Sequence, residues 1–128
     1  MFFRIVAVLS LLISFPAFAQ IDPGWTVSFL VSAASNGTKI SWNSAKSAKN
    51  LPIQYSLLLY TSPTGGTPAL KLNGLSAPAA TVSAKEIRAL APGVASGSPA
   101  KLYGTVTADD GVSSVTTMTR ETLVVQVP

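Results

Sequence analysis

Two side chains that carry much of protein chemistry are missing: the 128-residue chain contains no cysteine and no histidine. Their absence excludes disulfides, thiol nucleophiles, Cys/His zinc sites and an imidazole base together. Charge is scarce too, at 11% of residues, and the acids are only Asp22, Glu86, Asp109, Asp110 and Glu121. Asp109 and Asp110 are neighbours, so on a strand they point to opposite faces and do not form the facing pair that glycoside hydrolysis requires. One short acidic turn also lacks the oxygen set that calcium gathers. Ser98-Pro-Ala-Lys101 matches a Ser-x-x-Lys spacing. Pro99 argues against the helix such a serine needs, and no Lys-Thr-Gly strand accompanies it. No Gly-x-Ser-x-Gly elbow or phosphate-cradling loop occurs. The expectation is a protein that is not an enzyme, with no catalytic residue, no cofactor and no metal.

The net charge of +4 is a mild excess that aids solubility and does not specify nucleic acid. Hydrophobic residues make up 48% of the chain, partly because of its first nineteen residues. These read as a secretory signal peptide: Arg4 supplies the positive region, Ile5–Ile13 the apolar region, and Ala17-Phe18-Ala19 the small-x-small cleavage site. Cleavage between Ala19 and Gln20 leaves residues 20–128, with Arg4 and its charge removed. The competing reading is a membrane anchor, but the apolar stretch falls short of the ~20 residues a span needs and Ser14–Pro16 interrupts its end. No cysteine follows it, so a lipoprotein is excluded. A secreted or periplasmic protein without a stable membrane span follows. Lacking disulfides, it must be held by its core, which a chain of roughly 100 residues can supply.

Ser and Thr alternate with Val, Ala and Leu through the rest of the chain, the texture of half-buried strands. The most apolar run is Ile53–Tyr60, bracketed by Pro52 and Ser62-Pro63. Ile53, Tyr55, Leu57 and Leu59 share one face, and Leu58 and Tyr60 turn the other face apolar as well, which predicts a central strand. Before it, Trp25–Ala33 alternates over about nine residues. Asn36-Gly37 predicts a hairpin turn, and the chain returns through Thr38–Asn43 with Ile40 and Trp42 inward. Asn36-Gly37-Thr38 is also a glycosylation sequon. Ala69–Leu72 is a short edge strand closed by Asn73-Gly74, with Pro68 and Lys71 guarding it. Residues 83–90 read either way: Ser83 and Glu86 have capping-box spacing, but the β-leaning Ala80-Thr81-Val82 and the stop at Pro92-Gly93 favour a strand. Lys101–Ala108, a turn at Asp109-Asp110-Gly111, and a long final strand from Val112 to Val127 complete the chain. Seven short strands with turns between them describe a β-sandwich.

In this order Ile40-Ser-Trp42, Tyr55–Tyr60, Ile87-Arg-Ala-Leu90-Ala-Pro92-Gly93 and Val106-Thr-Ala108 with Asp110-Gly111 and Ser113-Ser114 resemble a fibronectin type III domain over most of residues 24–127. The resemblance implies an all-β, seven-stranded antiparallel β-sandwich, an immunoglobulin-like fold, with Trp42 in the core. It also implies a Leu-x-Pro-Gly corner before a strand that ends in an apolar-x-Ala pair. The chain departs from the pattern after that corner. Counting back from Ala108 by twos puts Leu102, not Tyr103, where the family usually has its corner tyrosine.

For function, the expectation is a single-domain interaction module, of the protein-binding or cell-adhesion kind, that meets an unknown protein or cell-surface partner through its strand-connecting loops. Lys46 and Lys49 in the repeat Ser44–Lys49, and the turn Asp109, Asp110 and Gly111, are the candidate partner-binding positions, by analogy with the family. A second reading is a structural subunit that self-associates, in which the final strand or the leader Gln20–Gly24 exchanges edges with a neighbour. A third is a small carbohydrate binder using Tyr60 and Tyr103, the aromatics whose phase leaves them exposed. Trp25, Phe29, Trp42 and Tyr55 fall on inward phases and are expected to pack the core.

Overall fold

The computed structural model describes residues 21–128; the expected signal peptide and its cleavage site at Ala19 and Gln20 lie outside them. Eight strands and one short helix follow in order: β1 (Leu30–Ala34), β2 (Gly37–Ser41), β3 (Gln54–Tyr60), β4 (Leu70–Leu75), β5 (Ala79–Ser83), α1 (Ala84–Leu90), β6 (Pro99–Asp109), β7 (Ser114–Thr116) and β8 (Glu121–Gln126). They form two antiparallel sheets, β1-β2-β5 and β4-β3-β6-β7, with β8 also paired to β6. The result is all-β and sandwich-like. No helix among the described residues is long and apolar enough to cross a membrane.

β3 is central, between β4 and β6, and its Tyr55, Leu57 and Leu59 are buried. Their partners on β6 are Ala108, Val106 and Gly104, so both strands present the same apolar face inward. Ile40 and Val82 close the core from the smaller sheet. Each such side chain contributes about 1.5–3 kcal/mol when removed from water. Trp42 stands edge-on to Tyr55 at 5.8 Å and to Phe29 at 6.1 Å, so the aromatic phases place these rings together as expected. Leu102 takes the inward position on β6 and Tyr103 is only half-buried, as counting from Ala108 predicts.

Several boundaries differ from the sequence reading, each for a physical reason. The first strand is shorter than Trp25–Ala33: ladder pairing begins only at Leu30. Ahead of it the Asn43 side chain replaces a strand partner, donating to the Thr26 carbonyl at 2.6 Å and accepting from Ser28 N–H at 2.8 Å. Trp25 Nε1 donates to the Asn43 carbonyl at 3.2 Å. The alternation survives without the ladder, with Trp25 and Val27 buried. The hairpin loop is Ser35-Asn36, one residue earlier than expected, because Ala34 pairs with Gly37. Gly37 is required by proximity: a Cβ there would collide with the Val82 carbonyl oxygen and lie 2.9 Å from Ser83 Cα. Asn73-Gly74 does not close β4 but forms a bulge inside it, where the register slips between Tyr55 and Leu57 and Gly74 adopts φ 68°.

Residues 84–90 are helical, against the favoured strand. The capping box is complete: Glu86 N–H donates to Ser83 Oγ at 3.1 Å and Ser83 N–H to Glu86 Oε1 at 3.0 Å. Ile87 and Leu90 then fall on one helical face and are buried. The expected final strand is two strands, giving eight in place of seven. At the break Thr117 stays tied to β6, with Val106 N–H donating to Thr117 Oγ1 at 3.0 Å and Thr117 N–H to the Val106 carbonyl at 2.9 Å. The chain after it loops out and returns to the ladder at Glu121.

Candidate functional site

One end of the two sheets gathers segments distant in sequence. Asp109 ends β6 and opens the turn that follows, its Oδ1 accepting from Gly111 N–H at 2.7 Å. Asp110 turns inward and is only 6% exposed. Its Oδ1 accepts from the Val112 and Ser113 N–H groups at 2.9 and 2.8 Å, and its Oδ2 accepts from the Ser47 hydroxyl at 2.9 Å. Burial works against the charged carboxylate, but the Ser113 and Val112 N–H groups and the Ser47 hydroxyl outweigh it and hold the carboxyl below its ordinary range. Ser113 Oγ accepts in turn from Ile21 N–H at 3.3 Å, and Ile21 bridges Ser47 as an isolated antiparallel pair. Ile21 is 1% exposed. The segment after Gln20 is therefore fastened into the domain at this point.

The loop between β2 and β3 that carries Lys46 and Lys49 is thereby fixed beside the Asp109–Gly111 turn. Lys46, Lys49, Asp109 and Gly111 are exposed, whereas Asp110 is the buried fastener between the two segments. Within the loop, Asn50 N–H donates to the Ser47 carbonyl at 3.0 Å, and Asn50 itself has φ 55°. Asparagine tolerates that left-handed region better than most residues. Beneath the loop the Tyr55 hydroxyl accepts from Ala45 N–H at 3.0 Å. A tyrosine does pin a connection in this chain, but from β3 and not from the corner before β6.

Tyr60 and Tyr103 sit elsewhere. They face one another across β3 and β6, at the end of β3 away from Gln54 and Asp109, and both are half-buried. The Arg120 guanidinium lies 3.4 Å from the Tyr60 ring centroid and donates through Nη1 to the Ser62 and Gly65 carbonyls at 3.0 and 2.8 Å. One face of the Tyr60 ring is thus occupied by this cation. Asp110 and Ser47 are the positions whose connection sequence reasoning missed. The Asp109-Asp110-Gly111 turn was legible locally; nothing local points from Asp110 to a serine 63 residues away. Comparison with protein-family models, with curated proteins and with solved structures finds no match.

Proposed function

We propose that the chain is an exported, non-enzymatic interaction module of fibronectin type III-like build that meets a protein or cell-surface partner through the Lys46–Lys49 loop and the Asp109–Gly111 turn. Support for the family type comes from Trp42, buried just after the second strand, and from Leu90-Ala-Pro92-Gly93 preceding a strand that ends in Val106-Thr-Ala108. Leu102 in place of the corner tyrosine is the departure. Residues 1–19 acting as a cleaved signal, with a secreted or periplasmic destination, belong to the same proposal. The observation that carries the binding reading is the buried Ser47–Asp110 hydrogen bond. It joins two loops into one preorganised surface, so binding costs little loop ordering. The test is retention of the labelled protein on cells or envelope fractions of its source, compared with a Lys46→Glu, Lys49→Glu double variant. At least tenfold weaker retention of the variant is expected; equal retention removes these loops from the interface.

A second reading, a self-assembling structural subunit, is favoured by a different region. A groove of about 330 Å³ runs between the unpaired edges of β1 and β8, with Val31 and Ala33 on one side and Val124 on the other. Leu30 and Val124 are exposed, at 68% and 50%. Neither edge carries a lysine or proline of the kind that discourages edge pairing. Exchange through the leader is disfavoured by the burial of Ile21, so assembly would use these strands. Light scattering across a wide concentration range decides: a constant single-chain mass removes this reading, and a rising mass that Val124→Lys suppresses supports it.

A further inference from the structure

The fixed loop borders an open recess of about 540 Å³ against the β4–β5 connection. Its polar lining comes from Lys46, Ser44, Ser76 and Asn50, which between them offer both hydrogen-bond donors and acceptors, with no carboxylate among the lining residues. The Ser47 hydroxyl is already engaged by Asp110. At the inner side stands Tyr55, 3% exposed, whose hydroxyl oxygen accepts from Ala45 N–H and so retains its own proton to donate. Leu51, Ile53 and Pro78 add an apolar wall. A neutral or anionic polyol matches this set, because hydroxyl groups accept from the serines and the amide while C–H surfaces cover the wall. Lys46 is the one charged residue in the lining, which favours the anionic form.

We propose that this recess binds a monosaccharide acid, its carboxylate facing Lys46 and its ring hydroxyls meeting Ser44, Asn50 and Ser76. The proposal rests on the loop-recognition reading and names the ligand class of that surface; it also moves carbohydrate binding away from Tyr60, one face of which Arg120 occupies. The recess is open and has no aromatic platform on which a sugar ring stacks, so the affinity is weak, with a Kd on the order of 1 mM.

The experiment is an amide chemical-shift titration of the isotopically labelled secreted protein with D-galacturonate, D-galactose and acetate in parallel. Galacturonate should give saturable shifts at residues 44–50 and 76, with galactose and acetate at least tenfold weaker. Lys46→Gln should weaken galacturonate at least tenfold while leaving the remaining spectrum unchanged, since Lys46 is exposed and its loss does not threaten folding. Absence of saturable shifts at these positions overturns the proposal. So does an equal response to galactose, which would mean that charge is not read, or an unchanged response in Lys46→Gln. Failure here with cell retention still dependent on Lys46 and Lys49 overturns the sugar-acid ligand alone. Saturable galacturonate shifts together with retention that ignores both lysines support the recess and remove the loop surface as the partner site.

Discussion

At one end of the sheets Ser113 and Asp110 link Ile21 to the turn and Ser47 to the carboxylate, across separations of 92 and 63 residues. At the opposite end Ser83 and Glu86 close a capping box across a separation of three residues, next to the Ser35-Asn36 hairpin turn whose Asn36 carbonyl accepts from Ala84 N–H at 3.2 Å. The first end is fastened by side chains that meet only after the chain has folded. The second is fastened mostly by local bonds and by backbone proximity. Local devices form early and independently, whereas the Asp110 junction has nothing to hold until both sheets are in place. The surface proposed for recognition therefore lies at the end whose order depends on the whole fold.

The comparison breaks most easily at the helix end, through the backbone. Gly37→Ala forces a methyl group into the Val82 carbonyl and toward Ser83 Cα, and backbone cannot give way as a side-chain tip does. A loss of about 3 kcal/mol is expected in urea denaturation. A loss below about 1 kcal/mol would mean that β2 and β5 separate readily here.

Asp110→Asn comes next in size. It keeps the shape but replaces one carboxylate oxygen with a donor that faces either the Ser47 hydroxyl or the two backbone N–H groups. Hydrogen exchange should speed up at residues 44–50 and 112–113, with the amides of α1 unchanged. Equal acceleration at both ends would show that the two ends are not separate units. Ser47→Ala combined with Asp110→Asn should cost less than the sum of the two single changes, because they share one bond. Ser83→Ala combined with Asp110→Asn should be additive. Ser83→Ala alone should cost about 1 kcal/mol, the usual worth of an N-cap oxygen.

How much could be read from the chain follows the same division. Period-two alternation identified β3, β6 and the inward aromatics, because burial on one face leaves its mark residue by residue. The Ser83–Glu86 spacing was visible too, and the strand preference at 83–90 failed because β propensity in Ala80-Thr81-Val82 was carried past the cap that ends it. Asn43 standing in for a strand partner left no pattern, since one side-chain amide bonded across 17 residues has no periodicity. Thr117 splitting the last strand and Arg120 reaching Tyr60 are hidden for the same reason. At the candidate site the lysines and the acidic turn were legible as exposed types. The opposite facing of Asp109 and Asp110 follows from strand alternation; that Asp110 meets Ser47 on the inner side shows only in the tertiary fold.

Acid sharpens the contrast with the smallest effect. The Asp110 carboxyl is held below its ordinary value, which means that folding favours the charged form. Its contribution to stability is fully present above the unfolded value, about 3.9. It fades as pH falls below that value and through the folded one. In that window the carboxylate gains a proton and can no longer accept from Ser47, Val112 and Ser113 together. Protection at residues 44–50, taken relative to the intrinsic exchange rate at each pH, should then fall with acidity more steeply in the parent than in Asp110→Asn, whose amide does not titrate. Parallel pH profiles for the two proteins would remove Asp110 as the charged fastener and leave hydrogen-bond shape alone to hold that end.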